Sequence, residues 1–146
     1  MFFLKELPTR QMLETYHERF PKMNVGLVEA ALHLLRRASL LMRELDTYFA
    51  QHKLSQLRFL VLIVLDREPS KDGLMASEVA ARLDVSRPVT TRTLKMLKDE
   101  ALLEIADHAE DGRAMLVTLT AKGRKTLHKL LPGYYRVIEN FMESDK

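Results

Sequence analysis

A chain of 146 residues, 47% apolar and 29% charged, has the length and balance of one globular domain that buries a single core. Its net charge is only +3, so affinity for a polyanion must come from where the charges sit. There is no cysteine, which excludes disulfides, thiolate metal sites and thiol redox switches and fits a reducing cytoplasm.

The apolar start Met1-Phe2-Phe3-Leu4 is too short for a signal peptide, and Lys5-Glu6 follow at once. No uncharged stretch approaches the ~18–20 residues of a membrane helix. We therefore expect a cytoplasmic protein without a membrane partner. Pro8 and Pro21 punctuate a short N-terminal arm or helix, expected to pack only once a partner is present. From Asn24, the apolar residues Val25, Val28, Leu32, Leu35, Leu41, Leu45 and Phe49 recur mostly at three- and four-residue steps. That is a long amphipathic helix ending near His52. Its apolar stripe needs a cover, from the rest of the chain or from a second subunit, and the length favours the second.

Ser55 is placed to cap the next helix, with Leu54 packing on Phe59 across the cap. Leu60 to Leu65 are apolar nearly all round, so this helix is the expected centre of the core. Pro69 to Gly73 read as a loop. Two short helices follow, Ala76 to Leu83 and Arg87 to about Glu100, separated by Asp84-Val85-Ser86 in a helix-turn-helix arrangement. Residues 102–106 and 114–119 then alternate as strands around the polar stretch 107–113, a β-hairpin with a charged tip. Thr120 caps a helix to Leu131, Pro132-Gly133 breaks it, and a last helix runs from Tyr134 to about Met142.

The helix from Arg87 carries the chemistry. Ser86 suits its cap, and Pro88 falls in the first turn, where a missing amide proton costs nothing. Arg87, Arg92, Lys95 and Lys98 are basic, and no acid lies between Arg87 and Lys98. Leu94 and Leu97 face the core. That leaves Arg87, Thr91, Arg92 and Lys95 on the surface, with Val89 or Thr90 beside them. Positive charge, hydroxyls and a small apolar group suit phosphates, base edges and a thymine methyl. A solvated face on a structural helix is the plainer alternative, and the turn before and hairpin after it argue against that.

Met75-Ala76-Ser77-Glu78-Val79-Ala80-Ala81-Arg82-Leu83-Asp84-Val85-Ser86, Thr91-Arg92 and Leu97, and the run Asp111-Gly112-Arg113 to Leu119-Thr120-Ala121-Lys122-Gly123-Arg124 resemble the MarR-type transcriptional regulators. The match runs from about Leu54 to Leu127. The resemblance implies a homodimer whose terminal helices interlock, two winged lobes on a palindromic operator, and release by a small aromatic or phenolic effector. It places Ser77 and Glu78 at the opening of the supporting helix and Arg87 to Lys95 on the recognition helix. Asp111 and Arg113 become the wing pair, the arginine entering a minor groove. The sequence departs from the pattern in four places. Ala101 replaces the usual glycine after the recognition helix and Asp84 the usual turn glycine, while Ile105 and Ala106 replace basic residues of the first wing strand.

The five histidines, His17, His33, His52, His108 and His128, are scattered without ligand spacing. No phosphate loop, nucleophile elbow or carboxylate pair is present, so neither an enzyme nor a cofactor nor a metal site is expected. The expected architecture is mostly α with a small β-hairpin wing. Residues 1–53 form an arm and dimerisation helix, 54–119 the winged helix-turn-helix lobe, and 120–146 C-terminal dimerisation helices. The DNA-contacting candidates are Ser77, Arg87, Pro88, Val89, Thr91, Arg92, Lys95, Lys98, Asp111 and Arg113. A ligand pocket would draw on Leu35, Met42, Tyr48, His52, Arg58 and Phe59. The expected function is a sequence-specific transcriptional regulator, a repressor, acting on double-stranded DNA. The alternative is a winged-helix protein-interaction or architectural DNA-binding module that answers to no ligand.

Overall fold

The computed structural model describes residues 2–68, 73–108 and 111–144, and for 108 and 111–114 it describes the backbone alone. They belong to two compact units, residues 1–45 and 46–146.

In the first unit, Thr9 starts α1 (Arg10–Arg19) by accepting from the Met12 amide at 3.2 Å. Asn24 accepts from the Leu27 amide at 3.0 Å in the first turn of α2 (Val25–Gln51). Arg10 pairs with Glu29 of α2 at 2.8 Å, His17 Nδ1 donates to the Met23 carbonyl at 2.8 Å, and Leu13 is buried. α1 is thus held within one chain, where the sequence suggested a segment that packs only against a partner.

The second unit begins in the last turns of α2. That helix closes in a Schellman motif: the Leu54 amide bonds Phe49 O, the Lys53 amide bonds Ala50 O, and Lys53 has φ 55°. Ser55 then accepts from the Arg58 amide and starts α3 (Gln56–Asp66). Phe59, Val61, Leu62, Val64 and Leu65 of α3 are buried, which makes it the core element that its composition indicated. Phe49 and Phe59 pack with ring centres 4.7 Å apart, and Tyr134 lies 4.8 Å from Phe59.

A two-residue strand missing from the sequence reading, β1 (Leu74–Met75), precedes α4 (Ala76–Ala81) and α5 (Arg87–Asp99). β2 (Leu103–His108) and β3 (Asp111–Leu119) complete an antiparallel sheet in the order β1-β3-β2. Leu74 pairs with Val117 and Leu103 with Leu119. Gly73 makes this edge pairing possible. It has φ 90°, and a Cβ there would lie 2.6 Å from Thr118 Cγ2 and against the Val117 carbonyl.

The hairpin differs from expectation at its tip. The strands reach His108 and Asp111, with a register irregularity at Asp107/His108. Regular pairing ends at Asp107↔Met115, and His108 then pairs with Asp111, so Asp111-Gly112 is not a two-residue turn. The ladder prevails because Ile105↔Val117 and Ala106↔Leu116 keep the two strands in register almost to the end.

α6 runs unbroken from Ala121 to Glu143 with Pro132 inside it, which corrects the expected break at Pro132-Gly133. Its start is built onto the end of α5. Thr120 accepts from the Gly123 amide at 2.9 Å and donates to Ala101 O at 2.7 Å, and Lys122 Nζ donates to Glu100 O at 2.9 Å. A Cβ on Gly123 would lie 2.9 Å from Leu102 C and Leu119 Cδ1, and against the Leu102 oxygen. Asp66, in the last turn of α3, pairs with Arg124 at 3.3 Å and His128 at 3.0 Å on α6. Among the described residues no helix is long and apolar enough to cross a membrane.

Candidate nucleic-acid interface

α5 has two faces of opposite character. Thr90, Thr93, Leu94 and Leu97 are buried. Arg87, Pro88, Thr91, Arg92, Lys95 and Lys98 are exposed, and Val89 is half-buried between the two faces. Of the two neighbours offered for the surface group, Val89 or Thr90, Thr90 therefore leaves it. Its hydroxyl donates back to Ser86 O at 3.2 Å, and Thr93 does the same to Val89 O at 2.8 Å, so both enter the core with their polar groups satisfied. Ser86 occupies the N-cap position with extended backbone, but its side chain makes no capping bond.

The exposed face carries Arg87, Arg92, Lys95 and Lys98, and among the described residues none of these four is in an ion pair. Other cations near the turn are already engaged. Arg82 of the α4–α5 turn holds Glu68 at 3.2 Å and the Glu78 carbonyl at 3.1 Å. Glu78 itself accepts from the Met75 amide at 2.7 Å and so fastens the start of α4, with Ser77 exposed beside it. An uncompensated positive stripe projected from a rigid helix suits the phosphate oxygens and base edges of a groove. Asp84 has no positive φ, so the turn between the helices requires no glycine. Ala101 does have one, φ 59°, and the Leu102 amide bonds Leu97 O while the Ala101 amide bonds Lys98 O. The recognition helix thus ends in a second Schellman motif with alanine where glycine is the easy choice.

On the wing, Ile105 is half-buried and Ala106 exposed, so neither supplies charge. Asp111 and Arg113 lie on β3, and their side chains fall outside the described residues.

The family model described as MarR family matches residues 52–114, from the end of α2 through the helix-turn-helix into the wing. The HTH-type transcriptional repressor YetL of Bacillus subtilis is 27% identical over 98% of this chain and 87% of its own length. Residues 52–114 thus match the MarR family, and the chain as a whole is similar to MarR-type winged-helix regulators. Among solved structures, the Mycobacterium tuberculosis transcriptional regulator MOSR in complex with DNA is 28% identical, with a TM-score of 0.63 over 80% of this chain and 82% of that one. Sco3205 of Streptomyces coelicolor, also in complex with DNA, has a TM-score of 0.77 over 84% of this chain and 76% of its own, at 18% identity.

The six pocket candidates fall in both units. Leu35 and Met42 lie exposed on α2 in the first unit. In the second, Tyr48 packs edge-on to His52 at 4.7 Å between ring centres, and Phe59 is fully buried beside Phe49. Arg58 pairs with Glu100 at the end of α5, and its Nε is buried with no partner among the described residues. Among the described residues no cluster of three or more histidine or acidic side chains is placed to hold a metal.

Sequence reasoning found Thr120 as the cap but missed its hydroxyl's bond to Ala101 O and the work done by Lys122 and Gly123. The spacing of Thr120 and Gly123 is itself a capping signal, since a threonine N-cap bonds the amide three residues on.

Proposed function

We propose that the protein is a cytoplasmic repressor that reads a pseudo-palindromic operator as a homodimer. The observation that carries this reading is the exposed stripe of Arg87, Thr91, Arg92, Lys95 and Lys98, acid-free from Arg87 to Lys98 and backed by a fully packed face. Arg113, with Asp111 orienting it, is assigned to the minor groove, where a narrow A·T-rich tract attracts arginine through its negative potential. Residues 54–119 form the DNA-reading lobe in this scheme, and residues 1–53 and 120–146 assemble the dimer.

A second copy supplies the cover that the outer helices lack. Leu27 is 70% and Leu34 69% exposed, one heptad apart on α2, and Met12, Tyr16 and Phe20 are exposed on α1. Tyr135 and Met142 are exposed near the end of α6. Monomeric proteins seldom keep apolar surface of this extent in water. YetL is named a repressor, and MOSR and Sco3205 are complexed with DNA, which supports the same role here. The effector in this reading is a small aromatic or phenolic compound. The unpartnered Nε of Arg58 is the polar group best placed to receive its acidic end.

The test is selection of binding sites from a randomised duplex library with the purified protein, coupled to light scattering and a promoter-reporter assay. The expected result is a dimer, an enriched inverted repeat with half-sites about 10 base pairs or a multiple of that apart, and lower reporter output. Enrichment of no sequence, or of an asymmetric one, refutes the reading.

A further inference from the structure

α6 persists through its two worst helix formers because a side chain from elsewhere in the unit enters its backbone. Tyr48 stands near the end of α2, and its hydroxyl donates to Leu130 O at 2.7 Å while the Tyr134 amide bonds the phenolic oxygen. Residues 130 and 134 are the two ends of one step in the helical hydrogen-bond ladder. Within that step, Pro132 brings no amide proton, so the His128 carbonyl lacks its helical donor. Gly133 brings no Cβ, and it must not: one there would lie 2.8 Å from both Cε2 and Cζ of Tyr48. The proline, the glycine and the tyrosine thus fit one another as a joint. The ring is fixed by edge contacts with Phe49 at 5.6 Å and His52 at 4.7 Å.

We propose that the Tyr48 hydroxyl pins α6 at this weak step and is the positioning residue that sets the distance between the two DNA-reading lobes. The inference rests on the dimeric reading above. Below the joint, residues 121–131 are fastened to the end of the recognition helix through Thr120, Lys122 and Gly123. Beyond it, Tyr135 and Met142 belong to the surface assigned to the second copy. The eleven residues below the joint make a lever about 16 Å long at 1.5 Å per residue, so a bend of about 10° moves its far end by about 3 Å. That is close to the spacing of successive base pairs, about 3.4 Å. Burial raises the phenol above its ordinary pKa, against the opposing pull of the Arg136 charge and of the Tyr134 amide, so the hydroxyl keeps its proton and stays a donor.

The experiment uses the full chain carrying Tyr48→Phe, which keeps the ring and removes the bridge. The probes are duplexes bearing the half-site enriched by the wild-type protein: one copy alone, two at the selected spacing, and two set one or two base pairs closer or farther. The expected result is an unchanged dimer and circular dichroism, an unchanged Kd on the single half-site, and about tenfold weaker binding at the selected spacing. A competent bend populated a tenth of the time gives that loss. Preference over the shifted spacings falls by about the same factor, and the amides of residues 131 and 133–135 exchange about tenfold faster while those of α3 do not.

Gly133→Ala displaces the same ring and is expected to give the same pattern, and the double variant should be no worse than Gly133→Ala alone. It carries the test by itself should Tyr48→Phe fail to fold. Wild-type spacing preference in both variants overturns the pin, and so does an equal loss on the single half-site, which would place the effect inside the lobe. Wild-type protein that prefers no spacing refutes the dimeric reading, and the pin with it.

Discussion

Replacing Ala101 by glycine should make the protein more stable, although within a helix glycine is the weaker residue. Ala101 is the C′ residue of α5, held at φ 59° by the paired bonds from the Leu102 amide to Leu97 O and from its own amide to Lys98 O. An L-residue in that conformation costs about 1–2 kcal/mol, because its Cβ crowds the following carbonyl. Glycine removes the crowding but loses about 0.4–1 kcal/mol through the greater freedom of the unfolded chain. The Ala101 methyl is exposed, so no packing is lost with it. The net gain is about 0.5–1 kcal/mol per chain, or a urea midpoint higher by about 0.4 M at an m-value near 2 kcal/mol/M. Equilibrium urea unfolding followed by circular dichroism reads this directly, and m should not change. Ala101→Val is the matched control and should lower the midpoint, since a β-branched residue tolerates this region least. A glycine variant less stable than the parent would refute the argument, because it would mean that the left-handed conformation is not populated at the end of α5.

Arg92→Ala should shift base preference as well as affinity, with about 1–3 kcal/mol lost against the preferred base, whereas Lys98→Ala should weaken all sequences equally. Gel shifts on operator variants separate the two, and uniform scaling by both would mean that the reading face is misassigned. Arg113→Ala should reduce operator affinity, lower the log–log salt slope by about 1 per lobe and leave thermal stability unchanged, with Asp111→Ala giving a smaller loss of the same kind. Unaltered binding near physiological salt would make the wing a structural hairpin only. Gly123→Ala should cost about 3 kcal/mol or more in urea unfolding, because the new Cβ meets the Leu102 carbonyl and that backbone cannot yield as a side chain would. A cost below about 1 kcal/mol would show that α6 is not seated on this turn.

The helices of the winged lobe were legible because their signals are local. Ser55 caps α3, Pro88 lies in the first turn of α5, and Leu94 and Leu97 recur on the buried face. The failures are places where a distant group overrides local preference. Pro132-Gly133 reads as a break in any short window, and nothing near it in sequence reveals that Tyr48, 82 residues before Leu130, supports the helix there. Two residues, Leu74 and Met75, are too few to show a strand period, and β1 exists only because β3 offers them a partner. Thr90 looks like a surface hydroxyl until its bond to Ser86 O removes the cost of burying it. Within the basic stripe, alternation of exposed and buried positions was readable from the helical period alone, whereas the engagement of Arg82 with Glu68 required the fold.

The junction of α5 with α6 bears on how such a protein can be re-engineered. The last carbonyls of the recognition helix and the turn after it, those of Glu100, Ala101 and Leu102, are bonded by Lys122, by the Thr120 hydroxyl and by the Thr120 amide. A specificity graft that imports a foreign helix together with its terminal turn would strip those acceptors of their matched donors and leave the chimera loose where it must be stiff. The exchangeable cassette is therefore shorter than the helix. The outward residues Arg87, Thr91, Arg92 and Lys95 can be traded as a set, while everything from Lys98 through Gly123 travels as one inherited block.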